Sequence, residues 1–258
     1  MCGFIGFTGI IDRREDVIRK MAERIIHRGP NSGGFHYSGE NDNDSVTLGF
    51  RRLSIIDLSD GSQPMYNEDG SVVIVFNGEI YNFMDLRDEL IAKGHIFKTH
   101  CDTEVIIHGY EEWGKKIAEK LRGMFAFVIW DKKTNVLYGA RDPFGIKPFY
   151  YTKVKSGLVF GSEIKSFLEH PDFKPEVNEN ALRPYLTFQY SSLEETFFKG
   201  VFKLPPAHYF TYSGGKMEKT RYFDFDFTRK TSLSYDECAD MIDKRVHESV
   251  AAHRISDL

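Results

Sequence analysis

The amino-acid sequence predicts an α+β protein in which short, mainly antiparallel strands are combined with a few separate helices. Three observations carry this expectation. Phe4 to Ile10 is an apolar run of strand length that starts almost at the amino terminus. Four more strand-like runs, Phe125 to Trp130, Val136 to Ala140, Phe149 to Lys153 and Leu158 to Gly161, follow one another closely enough to be antiparallel neighbours. Helical periodicity is confined to other stretches, chiefly Glu15 to Ile26, Thr103 to Trp113 and the segment after Ser234.

In order along the chain, Val17, Ile18, Met21, Ile25 and Ile26 form one face of the first predicted helix, which Arg28-Gly29-Pro30 stops. Gly39 to Asp44 is polar and turn-rich; it lacks the central glycine of a calcium loop and reads as a solvated hairpin tip. Val72 to Phe76 predicts a core strand ending at the turn signal Asn77-Gly78, after which Asn82 is placed to cap a helix carrying Phe83, Leu86 and Leu90. Pro171 to Asn178 is a candidate subdomain boundary, followed by a helix from about Asn178 to Leu186 and strands at Tyr209 to Tyr212 and Arg221 to Phe225. Ser213-Gly214-Gly215-Lys216-Met217 between the last two reads as a hairpin turn. Ser234 with Glu237 forms a capping box for a long final helix with Ala239, Ile242, Val246 and Val250 on one side.

Composition narrows the class. Of 258 residues, 41% are hydrophobic, enough to bury a substantial core. With 34 basic against 38 acidic residues the net charge is -4, which supplies no broad positive field for nucleic acid. No apolar run reaches the roughly 18 residues of a membrane span, and Met1 to Ile11 lacks the basic lead-in and cleavage site of a secretion signal. Cys2, Cys101 and Cys238 form no disulfide framework, which suits a reducing, cytoplasmic setting. His95, His100, Cys101 and His108 match no standard zinc spacing, so no metal is expected.

A cysteine directly after the initiator methionine is a chemical opportunity. Removing Met1 places a free α-amine and a thiol on one residue, with reference pKa values of about 8 and 8.5, so proton exchange between them is nearly isoenergetic. Position alone equally suits a small apolar residue entering a strand. Asn77-Gly78-Glu79-Ile80-Tyr81-Asn82 sets a side-chain amide beside a glycine N–H, a pattern able to hold an oxyanion. Arg52 can pair with a substrate carboxylate and Asp102 with a substrate ammonium; taken singly, each also suits a surface charge, and Asp102 a helix N-cap.

Met1-Cys2-Gly3-Phe4-Ile5-Gly6, His27-Arg28-Gly29-Pro30, Arg52-Leu53-Ser54-Ile55, the Asn77 to Asn82 hexapeptide, Cys101-Asp102-Thr103-Glu104 and Arg141 to Pro148 stand in the order found in class II glutamine amidotransferases. The chain resembles, more narrowly, the N-terminal half of glutamine-dependent asparagine synthetases, to which Phe160 to Lys165 and Lys203 to His208 are also similar. Asn31 departs from the acid that often follows His-Arg-Gly-Pro in that family. The resemblance implies a four-layer αββα sandwich of the N-terminal-nucleophile type. It implies Cys2 as the nucleophile on glutamine, Asn77 and Gly78 as the oxyanion hole, and Arg52, Leu53, Ile55, Glu79 and Asp102 as glutamine-binding residues. Arg141 to Pro148 is expected toward the partner domain, lining the ammonia exit.

By the same resemblance, residues 2–212 form the glutaminase domain, and 213–258 a connecting segment and the first helix of a synthetase domain that the chain lacks. ATP and magnesium are expected only for that missing domain, and no cofactor for this chain. Glutamine and the synthetase domain are the expected partners, and the uncovered face of the final helix favours pairing into a homodimer. Two alternatives remain at this level: a glutaminase serving a different acceptor, and a non-catalytic module of the same fold.

Overall fold

The computed structural model describes residues 1–39, 45–53, 61–191, 193–228 and 230–254. In chain order the elements are β1 (Gly3–Thr8), α1 (Arg14–Arg24), β2 (Ser32–Tyr37), β3 (Val46–Arg52), β4 (Met65–Tyr66), β5 (Val72–Ile80), α2 (Phe83–Ala92), α3 (Asp102–Trp113) and α4 (Ile117–Lys120). They continue with β6 (Gly123–Asp131), β7 (Val136–Arg141), β8 (Tyr150–Val154), β9 (Gly157–Gly161), α5 (Glu179–Phe188), β10 (Val201–Lys203), β11 (His208–Ser213), β12 (Lys216–Arg221) and α6 (Tyr235–Ala252). The strands form two antiparallel sheets, ordered β10-β8-β9-β1-β3-β2 and β12-β11-β7-β6-β5-β4.

Strand alternation explains how these sheets stack. In β1, Phe4 points into the layer between the sheets, while Ile5 and Phe7 point outward against Ile18, Met21 and Ile25 on and just after α1. In β5, Val73 and Val75 enter the inter-sheet layer, and Ile74 and Phe76 face Val105, Ile106 and Leu90 of α3 and α2. The result is α1, first sheet, second sheet, then α2 and α3: the αββα order. Each fully buried large apolar side chain contributes about 1.5–3 kcal/mol on transfer from water. The amino terminus is thereby fixed at the centre of a sheet, with β1 bonded to β3 on one side and β9 on the other. Gly6 permits this crowding, since a Cβ there would lie 2.4 Å from the Phe160 ring.

The predicted strands at the terminus and at 125–161 are present, as are the helices ending near Trp113 and starting at Ser234. Ser234 accepts from the Glu237 N–H while Glu237 caps the Ser234 N–H, so the capping box forms. Gly214 and Gly215, both at positive φ, make the β11–β12 hairpin.

Other expectations are corrected. β5 does not end at Asn77-Gly78 but runs on to Ile80, paired with β6 throughout. A Cβ at Gly78 would lie 2.3 Å from the Met124 carbonyl oxygen, so the glycine serves close strand approach rather than a turn. The last strand is Lys216–Arg221, not Arg221 to Phe225, and the hairpin it completes carries the sheet past residue 212. β2 and β3 escape periodicity because their glycines and polar residues are held by ladder pairing to each other and to β1. Pro171 to Asn178 is no boundary: Phe173 packs edge-on to Phe167, and the Asn178 amide donates to the Thr196 carbonyl. Asn82 occupies the N-cap of α2, yet its side chain bonds the backbone of Lys120 and Arg122 instead. The hairpin tip expected at Gly39 to Asp44 lies, beyond Gly39, outside the described residues.

Candidate active site

Cys2 enters β1 from the end that faces the inter-sheet layer, packing against that core. Its Sγ is held by the residue just past the end of the neighbouring strand β3, donating to the Leu53 carbonyl at 3.4 Å and accepting from the Leu53 N–H at 3.3 Å. Its backbone is anchored as well. Arg28 Nε donates to the Cys2 carbonyl at 2.9 Å while the same guanidinium meets Glu163 at 3.1 Å. Two residues on, the Phe4 N–H donates to Ser162 Oγ at 3.1 Å. Burial raises the Cys2 thiol above its ordinary value, the Leu53 N–H working in the opposite sense.

The end of β5 lies across from Cys2. The Phe125 N–H and carbonyl both bond Asp142, on the β7 side, so Phe125 and its partner Gly78 are a non-hydrogen-bonded pair of the β5–β6 ladder. The Gly78 N–H therefore points to the other edge of β5, as do those of Phe76 and Ile80, two residues away on either side. Gln63 Oε1 accepts the Phe76 N–H at 2.6 Å, and Asp102 Oδ2 accepts the Ile80 N–H at 2.9 Å. The Gly78 N–H sits between them, directed into the cleft that Gly78 lines with Cys2, Arg52, Leu53, Glu79 and Asp102. Alternation turns Asn77 to the inter-sheet face that Cys2 also meets; its amide Nδ2 is buried with no hydrogen-bond partner.

Two carboxyls define the polar side of the cleft. Burial and the charge of Asp102 push Glu79 up to about 8, against the pull of Lys147. Burial pushes Asp102 up to about 6, with the Ile80 N–H and the Cys101 thiol restraining the rise. Asp102 is the first residue of α3 rather than its N-cap, and its carboxylate reaches sideways to β5. Arg52, at the end of β3, is buried beside Leu53. The structure thus brings together Cys2, Arg52, Leu53, Gly78, Glu79 and Asp102, with Asn77 behind them; Ile55 lies outside the described residues.

Gln63 escaped the sequence reading, and Cys101 and Lys147 stood there only within motifs, with no role of their own in the cleft. Gln63 joins the β5 edge to Thr103, donating to its hydroxyl at 3.3 Å; nothing in its neighbourhood signals that role. Cys101 lines the cleft beside Asp102, and burial together with the Asp102 charge raises its thiol to about 12, an inert acid at neutral pH. Lys147, 6% exposed, reaches the Met1 sulfur at 3.7 Å, and its ammonium acts on both Glu79 and Cys2. It belongs to the Arg141 to Pro148 segment, whose internal order comes from its first two residues. Arg141 donates to the carbonyls of Gly145, Lys147 and Leu204, and buried Asp142 accepts the N–H groups of Phe144, Ile146 and Lys147.

Comparison with known proteins bears on the family and the fold. A family model described as glutamine amidotransferase domain matches residues 1–223. "Asparagine synthetase [glutamine-hydrolyzing] 1" of Bacillus subtilis is 40% identical over 264 residues, covering 100% of this chain and 41% of that protein. "Asparagine synthetase [glutamine-hydrolyzing] 3" of the same organism is 37% identical over 271 residues, covering 100% of this chain and 42% of its own length. The chain thus spans about two fifths of the curated relatives it matches. Among solved structures, glutamine phosphoribosylpyrophosphate amidotransferase from B. subtilis superimposes with a TM-score of 0.63 at 18% identity, covering 86% of this chain and 49% of that one. It supports the fold of the N-terminal-nucleophile type. With an αββα sandwich, a cysteine at the head of its central strand and a family model matched over most of its length, the chain belongs to the class II glutamine amidotransferase family.

Proposed function

We propose that this chain hydrolyses the side-chain amide of glutamine to glutamate and ammonia, with Cys2 as nucleophile. Two observations support this reading: Gly78 lines one cleft with Cys2 and turns its N–H into it, and the Asn77 amide is buried without a hydrogen-bond partner on the face of β5 turned to the inter-sheet layer. Once Met1 is removed, the α-amine of Cys2 takes the thiol proton as Sγ attacks the amide carbon. The tetrahedral oxyanion rests on Asn77 and Gly78. As it collapses, the C–N bond breaks, the amine returns the proton to the leaving nitrogen, and ammonia departs from a glutamyl thioester. Water, deprotonated by the same amine, then releases glutamate. Arg52 pairs with the glutamine α-carboxylate, and Glu79 and Asp102 take its α-ammonium, whose charge draws both carboxyls into their ionised forms.

The named groups all precede residue 212, and we assign hydrolysis to residues 2–212. Past residue 212 the β11–β12 hairpin completes the second sheet, and the residues after Arg221 are read as a link and first helix toward a synthetase domain that uses ATP and magnesium to pass the ammonia to aspartate. Identity to asparagine synthetases along the whole chain supports this acceptor. Exposed Phe144 and Ile146 beside Tyr222 and Phe223 give that domain an apolar seat. No cofactor enters the hydrolytic step, and no helix among the described residues is long and apolar enough to cross a membrane. The test is a glutaminase assay on protein whose N-terminus has been verified by mass spectrometry. Activity lost in Cys2→Ala and in protein retaining Met1 is expected; undiminished activity in Cys2→Ala refutes the reading.

A further inference from the structure

Helix α3 carries a second group of reactive side chains, beyond Asp102 by six residues or roughly 9 Å of helix rise. The imidazole of His108 is buried between Glu68, just after β4, and Glu111, one turn further along α3. Its Nδ1 lies 3.6 Å from Glu68 Oε1 and 3.2 Å from Glu111 Oε2. His95, in the segment after α2, lies beside it with the ring tilted at 47° and the centroids 5.1 Å apart, and its own Nδ1 is 4.0 Å from the same Glu111 oxygen. One donor atom from each of Glu68, His95 and His108 lies within 4.8 Å of the others.

Each ring turns its remaining nitrogen toward a different carboxylate. His108 Nε2 is buried without a hydrogen-bond partner, 3.6 Å from Glu104 Oε1, and His95 Nε2 is 3.6 Å from Glu112 Oε2. Glu104 is itself held rigidly, accepting the Lys98 and Thr99 N–H groups and the Thr99 hydroxyl at 2.6–2.8 Å. That is the arrangement in which an outer carboxylate fixes the tautomer and orientation of a ligating imidazole.

We propose that Glu68, His95, His108 and Glu111 form a structural site for a divalent transition-metal ion of the zinc type. Bonds of about 2.0–2.2 Å at tetrahedral angles separate neighbouring ligand atoms by about 3.3 Å. Three of the separations, His108 to Glu111, His108 to Glu68 and His95 to Glu111, are 3.2, 3.6 and 4.0 Å, and Glu68, His95 and His108 lie within 4.8 Å of one another, so the side chains draw inward to seat an ion. Two imidazoles with two carboxylates suit zinc, whereas calcium and magnesium prefer all-oxygen sets. Linear spacing hides the group because its ligands come from three segments and because His100 and Cys101, adjacent in sequence, take no part in it. An ion here ties the β4 turn and the end of α2 to α3, the helix that presents Asp102 to the cleft.

The test is titration of the metal-free 258-residue chain with Zn2+ against a chromophoric chelator, and with Co2+ followed by visible absorption. One Zn2+ per chain is expected, with affinity at least ~10-fold weaker in His95→Gln and in Glu68→Gln. Their circular dichroism should match that of the parent, because both side chains are partly exposed; should one variant fail to fold, the other carries the comparison. A tetrahedral Co2+ spectrum without thiolate charge-transfer bands is the matching signature. Absence of stoichiometric binding, equal affinity in the folded variants, or thiolate bands that move the ion to a cysteine each overturns the proposal.

Discussion

Replacing Glu79 by glutamine should move stability and substrate use in opposite directions. Its carboxyl ionises at about 8 in the fold against an ordinary 4.5. A folded-state value above the unfolded one means that the native state binds the extra proton between these limits, so the cost of ionisation grows through that window and is complete above it. At 1.36 kcal/mol per pH unit the interval corresponds to about 5 kcal/mol. Solvent at the open side of the cleft screens roughly half of it, so about 2 kcal/mol is expected. Urea unfolding without glutamine should find Glu79→Gln equal to the parent at pH 4.5 and about 2 kcal/mol more stable at pH 9. In the glutaminase assay the same change should raise KM about 10-fold or more with a smaller effect on kcat, as loss of ground-state binding requires. A variant less stable than the parent at pH 9, or a difference that does not vary with pH, refutes the claim that this carboxylate is held at a cost for the sake of the substrate ammonium.

Asn77→Ala should lower kcat by about 10²–10³ with KM nearly unchanged, since its amide acts on the oxyanion; steady-state kinetics check this. Gly78→Ala forces a Cβ to 2.3 Å from the Met124 oxygen and 2.8 Å from the Phe125 Cα, so destabilisation of about 2–4 kcal/mol with loss of activity is expected in urea unfolding. Because Asp102 and Glu79 ionise at about 6 and about 8, kcat/KM for glutamine should rise between pH 5.5 and 8.5, and the Asp102→Asn variant should lose the lower part of that rise.

The chemistry of the site was more legible than its geometry. Cys2, Arg52, Asn77, Gly78 and Asp102 stand out in the sequence because an N-terminal thiol, an amide beside a glycine and isolated charges of opposite sign are residue types the reaction needs, whereas Glu79 entered only through the family resemblance. Their placement was read less well. Asn77-Gly78 looks like a turn because that dipeptide favours one locally, yet nine residues of ladder pairing with β6 hold it in a strand. The Gly78 N–H, the proposed oxyanion donor, consequently belongs to a strand edge, flanked by N–H groups that Gln63 and Asp102 satisfy. Asp102 looked like an N-cap for the same local reason, and lost that role to a backbone donor from β5.

Short-range signals were decided before any folding. The Ser234–Glu237 capping box, the Gly214-Gly215 hairpin and the cysteine that removal of one methionine would unblock depend only on neighbours in the chain. The contributions of Gln63 and Lys147, and the meeting of Glu68, His95 and His108, were decided by the tertiary structure alone. Their partners lie far off in sequence, and only the stacking of two sheets between helices brings such groups within hydrogen-bond or charge range of one another.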